Sequence, residues 1–196
     1  MADIVGYIFG YGALAILQDP MVRGESHTSR VVKGYLRGFR RRWTAGMENC
    51  APLNDGAYYV DVASGIRPDI YVVALSIDES DDDVNGVAIP VTAAVLPVFD
   101  LRELHYDRIE VSGHFSCSLA YPIWAYRANA RARRDCMMGG AQRRAYVSHT
   151  YVTGVRQAFR NLGARSWIEY QASTDPVPFP ARDLVRVVQH KYKYGV

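Results

Sequence analysis

Three stretches of this chain hold residue types at spacings that suit chemistry. The first is Phe9-Gly10-Tyr11-Gly12-Ala13-Leu14. Its glycines tolerate positive φ and let a ligand come close to the backbone. Exposed N–H groups in such a loop suit a carboxylate or a developing oxyanion, although a bare strand-to-helix turn uses the same glycines. No GK[ST] follows, and Gly10-Tyr11-Gly12-Ala13-Leu14-Ala15 lies outside a clear βαβ unit. Neither a Walker loop nor a dinucleotide fingerprint is therefore indicated. The second stretch is Phe99-Asp100-Leu101-Arg102-Glu103-Leu104-His105-Tyr106-Asp107-Arg108. Its plain reading is a solvated face. Its chemical reading has one carboxylate aimed into a pocket for acid–base work, with burial lifting it from the usual glutamate value of about 4.3. The third is Arg37-Gly38-Phe39-Arg40-Arg41-Arg42-Trp43. Aromatics among arginines can stack on and neutralise nucleic acid. In a strand, however, Arg40 and Arg42 share one face and Arg41 takes the other, which dilutes the patch. Arg131, Arg133, Arg134, Arg143 and Arg144 form a second basic group with the same two readings.

Other chemistries find little support. His27, His105, His114, His149 and His190 form no pair at metal-ligand spacing, and no serine has a G-x-S-x-G context. Cys50, Cys117 and Cys136 are odd in number and widely spaced, so they read as free thiols in a reducing compartment. The acidic run Glu79 to Asp83 lacks the spaced oxygens and glycine of a calcium loop and reads as a solvated turn. The net charge of +3 is far from that of a dedicated nucleic-acid binder. The N-terminus lacks a secretory pattern, and no apolar run approaches the roughly 20 residues of a membrane span. Cytoplasmic placement is the expectation.

The elements that must position these residues follow from the patterning. At 196 residues the chain suits one domain. Ile4 to Phe9 reads as a buried strand entering the glycine loop. Val31 to Phe39, Tyr58 to Val62, Asp69 to Ser76, Asn85 to Val91, Tyr106 to Val111 and Tyr121 to Tyr126 read as further strands. Thr92 caps a short helix over Ala93, Ala94, Val95 and Leu96, limited by Pro97. Residues from Ala128 to Gly140 read as a loop or the lead into a helix. Ala145, His149, Val152, Val155, Ala158, Phe159 and Leu162 mark a helix over Gln142 to Leu162, with Gly163 as its cap. Pro176, Pro178 and Pro180 form a rigid connection before a final helix over Ala181 to Lys191. Six or seven strands with few helices point to an α+β fold, a small mixed β-barrel or strongly curved sheet flanked by helices.

The order of motifs is a strand with FGYGAL, a basic strand GYLRGFRRRW, then NGVAIPV, FDLRELHYDR and a late helix. This order resembles the γ-glutamylcyclotransferase-like superfamily, which includes the AIG2-like proteins, from about Tyr7 to Gly163. The resemblance implies a small β-barrel with surrounding helices, spanning 1–196 with a core of about 3–163 and a C-terminal extension of 164–196. It implies that Glu103 is the catalytic acid/base. Tyr11, Gly12, Ala13 and Leu14 would form the substrate-cradling loop. Tyr126, and Tyr146 in the late helix, would correspond to tyrosines near the substrate. Ala13 stands where the family commonly has Ser, which a loop acting through backbone N–H groups tolerates. The implied reaction releases 5-oxoproline from a small-molecule γ-glutamyl amide, without metal or cofactor. A nucleic-acid or membrane partner is disfavoured, and no stripe marks an oligomer interface. Two alternatives keep the same fold: a non-catalytic binding or regulatory domain, and removal of a γ-glutamyl protecting group from a biosynthetic amine. Arg102 would have to turn away from Glu103, towards Asp100 or another carboxylate, for the glutamate to remain a good base.

Overall fold

The computed structural model describes residues 3–16, 31–51 and 57–188. His27, His190 and residues 189–191 of the expected final helix lie outside them. The described elements are β1 (Ile4–Gly10), β2 (Val32–Glu48), β3 (Ala57–Asp61), β4 (Tyr71–Thr92), α1 (Leu96–Arg102), β5 (Tyr106–Glu110), β6 (Ile123–Ala128), α2 (Ala130–Ala141), β7 (Ala145–Ser148), α3 (His149–Asn161), α4 (Ala164–Ala172), β8 (Ala181–Arg182) and β9 (Leu184–Val188).

β4 is the spine. β2 runs antiparallel along one side of it, from Val32 opposite Ala88 to Glu48 opposite Tyr71. On the other side β1 pairs antiparallel with the far end, Gly10 facing Val87. β7 pairs parallel with the near end, Tyr71 to Val73 facing Ala145 to Val147. Between Val73 and Val87 that side of β4 has no partner strand among the described residues. The C-terminal ends of β1 and β7 point at each other across this opening. Loops and helix starts that follow those strands therefore converge there, as ligand sites do at the carboxyl ends of diverging strands.

The mixed sheet runs β5-β6-β1-β4-β7-β8, with β2 on β4, while β3 and β9 form a separate ribbon. The architecture is α+β as expected. The expected barrel is not closed: among the described residues the ladder ends at β5 and β8. Ile8, Phe9, Leu36, Leu75, Ile77, Val84, Phe99 and Phe159 fill the core, each almost fully buried.

Several expectations give way to long-range pairing. The acidic run Glu79 to Asp83 is no turn. β4 passes straight through it because the basic run lies opposite, Arg37 facing Asp83 and Arg40 facing Asp78. Arg40 bridges Asp82 at 2.9 Å and Asp175 at 2.5 Å. The Arg40–Asp82 pair and the strand pairing join the two charged motifs into one structural feature. Arg133 and Arg144 of the second basic group pair with Asp78 and Asp69.

The short helix starts later than expected and ends within the charged stretch, at Arg102; Pro97 sits in its first turn, where a missing N–H has no partner to lose. Residues 130–141 form a full helix, and Asn129 caps it by accepting from Ala132 N at 2.9 Å. The helix expected from Gln142 begins only at His149, under a Ser148 cap. Arg143 has φ 54, and Ala145 to Ser148 forms β7 instead. Gly163, at φ 119, stops α3 and starts α4, which the sequence pattern did not reveal. The expected final helix is replaced by β8 and β9, since Leu184 to Val188 finds β3 as a partner. Among the described residues no helix is long and apolar enough to cross a membrane.

Candidate functional site

The opening beside β4 is a pocket of about 170 Å³. Its lining comes from every part of the chain. The end of β1 supplies Phe9 and the loop Tyr11, Gly12, Ala13 and Leu14. The end of α1 supplies Arg102 and Glu103, followed by His105 and Tyr106. Tyr126 comes from β6 and Tyr151 from α3. The ribbon contributes Tyr59 and Arg186, and Met47, Val72 and Leu75 complete the wall.

Backbone chemistry explains why tyrosines collect here. Leu75 lies where β4 lacks a partner strand, and a buried peptide group without a partner is costly. Tyr151 Oη accepts from Leu75 N at 3.2 Å, and Tyr106 Oη donates to Leu75 O at 3.0 Å. Tyr11 Oη donates to the carbonyl of Tyr126, and Tyr126 Oη donates to Asp100 Oδ1 at 2.8 Å. Burial is the main cause that raises the phenols of Tyr11, Tyr59, Tyr106, Tyr126 and Tyr151 above their ordinary value, and Glu103 adds to each shift. All five stay protonated at neutral pH. Three of their protons are already given away, those of Tyr11, Tyr106 and Tyr126 to Tyr126 O, Leu75 O and Asp100.

Glu103 is the C-cap of α1, its N–H on Phe99 O at 3.0 Å and its carbonyl taking Tyr106 N at 2.8 Å. The second bond ties Tyr106, another residue of the lining, to the end of α1. Arg102 does not turn away. Its Nε lies 3.2 Å from Glu103 Oε1, and the two side chains are 15% and 16% exposed. The expectation assumed strand geometry, in which neighbours point to opposite faces. At a helix end consecutive side chains are only about 100° apart and can meet. Asp100 pairs instead with Arg108, at 3.4 Å.

Gly12 is held close on its pocket side: a Cβ there would sit 3.2 Å from Tyr151 Oη. The expected Tyr11, Gly12, Ala13, Leu14, Glu103 and Tyr126 are all brought together. Tyr146 is not. It lies on β7, packs against the cluster of Ile70, Val72 and Leu184, and has Arg182 over its ring at 5.7 Å. The tyrosine that α3 does deliver is Tyr151, three residues after the Ser148 cap. His105 and Tyr106 lie inside the charged motif itself and were legible as neighbours of Glu103. Tyr59 and Arg186 face each other across the ribbon, a pairing no local pattern announces. Among the described residues no group of three or more His, Cys, Asp or Glu side chains is placed to hold a metal ion.

Three solved structures share this arrangement of strands and helices. A structure described as gamma-glutamyl cyclotransferase superposes with a TM-score of 0.53 at 12% identity, over 89% of this chain and 90% of that one. The fold is γ-glutamylcyclotransferase-like. YkqA from Bacillus subtilis has the same fold, with a TM-score of 0.55 at 14% identity over 90% of this chain. This chain spans 56% of YkqA. The uncharacterized human protein loc79017 gives a TM-score of 0.52 at 12% identity over 92% of this chain and 94% of its own. No family model matches the sequence, and no curated protein matches it either. At these identities the likeness speaks for the γ-glutamylcyclotransferase-like fold alone.

Proposed function

We propose that this pocket cleaves γ-glutamyl amides, closing the glutamyl group to 5-oxoproline with Glu103 as acid and base. One observation carries the reading: Glu103 and the loop from Tyr11 to Leu14 meet in a single small pocket, at the open side of β4, in a γ-glutamylcyclotransferase-like fold. The substrate's α-ammonium displaces Arg102 as the cation beside Glu103 and gives the carboxylate a proton. The freed amine attacks the γ-carbonyl carbon, and its oxygen takes on negative charge facing the loop N–H groups. The amide C–N bond then breaks. Glu103 returns its proton to the departing nitrogen, and the remaining ammonium proton leaves with that amine. The nucleophile is tethered to its target, so holding it in place can supply a large part of the roughly 7–11 kcal/mol available from proximity. The buried phenols of Tyr106 and Tyr151 stay neutral and add no charge to the site.

The test is 5-oxoproline release from a panel of γ-glutamyl compounds. Glu103→Gln, still folded, is expected to lower the rate by about 10²–10⁴-fold. Equal release by the variant would remove Glu103 from the mechanism.

The Arg102–Glu103 ion pair favours a second reading, a domain that binds a glutamate-like ligand without turning it over. That reading expects a ligand-dependent rise in Tm with no product from any compound.

A further inference from the structure

Arg41 heads the largest fully buried side chains, with 0% of its surface exposed. Its guanidinium forms no ion pair among the described residues. Each of its three nitrogens donates to a neutral oxygen. Nε donates to Tyr11 O at 2.7 Å, Nη1 to Ser173 Oγ at 2.7 Å, and Nη2 to Asn85 Oδ1 at 2.9 Å and to the Asn85 carbonyl. The rings of Phe159 and Tyr170, stacked on each other, lie beside it with centroids 4.6 and 5.0 Å from Cζ. Burial pushes this guanidinium down to about 9, so it remains a cation at neutral pH. Buried charges are ordinarily paired, because desolvation is otherwise uncompensated. A cation kept unpaired at this depth needs a reason beyond cross-linking the core.

Among its partners, Tyr11 belongs to the pocket. In a trans peptide the C=O and the following N–H point in opposite directions. Drawing the Tyr11 carbonyl onto Arg41 therefore turns the Gly12 N–H the other way. Gly12 lines the pocket there, beside Tyr151 Oη and Leu75. No acceptor among the described residues takes that N–H. A strong donor on the carbonyl also polarises the peptide and makes its N–H a better donor.

We propose that Arg41 is a positioning residue of the pocket, holding the Tyr11–Gly12 peptide so that Gly12 N–H meets the γ-carbonyl oxygen as it gains negative charge. This rests on the reaction proposed above. The effect belongs to the transition state, so it falls on kcat rather than KM.

The experiment compares Arg41→Met, Arg41→Lys and Ser173→Ala, each checked for folding, with kcat and KM measured separately. Arg41→Met is expected to lower kcat by about 10²-fold, as loss of an oxyanion donor does, with KM little changed. Arg41→Lys recovers part of the rate. Ser173→Ala loosens the same core cross-link but keeps the Tyr11 contact, so it lowers Tm and leaves kcat near native. A folded Arg41→Met with native kcat, or Ser173→Ala as slow as Arg41→Met, overturns the proposal. Native protein labelled with ¹⁵N supplies a measurement that needs no variant to fold. Added 5-oxoproline is expected to move the Gly12 amide and the Arg41 Nε–H signals together. Movement at Glu103 and Tyr106 with both of these unmoved overturns the proposal alone. No 5-oxoproline from any γ-glutamyl compound overturns the reaction and takes this inference with it.

Discussion

A carboxylate that must accept a proton works best away from cations, and Glu103 has Arg102 at 3.2 Å. The guanidinium favours the ionised carboxylate, so the resting site is ready to act as a base but a weakened one. In the proposed reaction, displacement of Arg102 by the substrate's own ammonium would resolve the conflict, because Glu103 would be freed of its cation only when substrate is present. Arg102→Gln tests this through the pH dependence of kcat/KM. Removing the cation takes away a charge that favours the carboxylate, so the acid limb of the profile is expected to move to higher pH. An unmoved limb would mean that Arg102 does not tune the base. The tyrosines around Glu103 serve two ends at once. Tyr106 and Tyr151 satisfy Leu75 where β4 has no strand beside it, and the same hydroxyls line the pocket.

At the scale of elements, two contacts decide how the pocket walls are held. α2 lies directly on β2 at Gly46, where an added methyl would fall on the Cys136 backbone. Backbone cannot rotate aside as a side chain can. Gly46→Ala is therefore expected to destabilise by about 1–3 kcal/mol in denaturant unfolding. The ribbon that carries Tyr59 is tied to β8 through Asp61. Arg182 Nε lies 2.8 Å from its Oδ2, and Ser64 donates to Oδ1 from both N–H and hydroxyl. Arg182 first, then Ser64, holds the Asp61 carboxyl down at about 2. A carboxylate depressed in the folded state stabilises above its unfolded value of about 3.9 and loses that contribution as pH falls through the folded one. Asp61→Asn is thus expected to melt below native at neutral pH. The gap should close as pH falls from about 4 to about 2. A gap that persists in acid would point to packing instead of charge.

For the molecule as a whole, residues 164–188 are part of the construction of the site. Tyr170 stacks on Phe159 at 4.6 Å, Ser173 receives Arg41, and β9 supplies Arg186 to the pocket. A chain ending at Gly163 would expose Arg41 and leave β3 without its partner strand. Such a truncated protein is expected to lose cooperative unfolding by circular dichroism and to be cut readily by protease. A stable, protease-resistant product would show that α4, β8 and β9 are dispensable to the fold.

What the sequence determined by itself was local. Apolar runs marked β1 and much of β4, and the glycine loop with its 10–14 spacing marked one side of the site. The run from Phe99 to Arg108 marked Glu103 and its neighbours on the other. Periodicity also found α3, but not where it starts, because Ala145 to Ser148 satisfies a helical pattern and still pairs with Tyr71 to Val73. The tertiary structure decided everything that depends on partners distant in the chain. Pairing with an arginine strand made an acidic run continue as β4, and pairing with β3 turned an apparent final helix into β9. It placed Tyr151, not Tyr146, in the pocket, and put Arg41 beneath the loop that Gly12 belongs to. Strand pairing and burial are set by what lies opposite in space, and a local pattern carries no record of that partner.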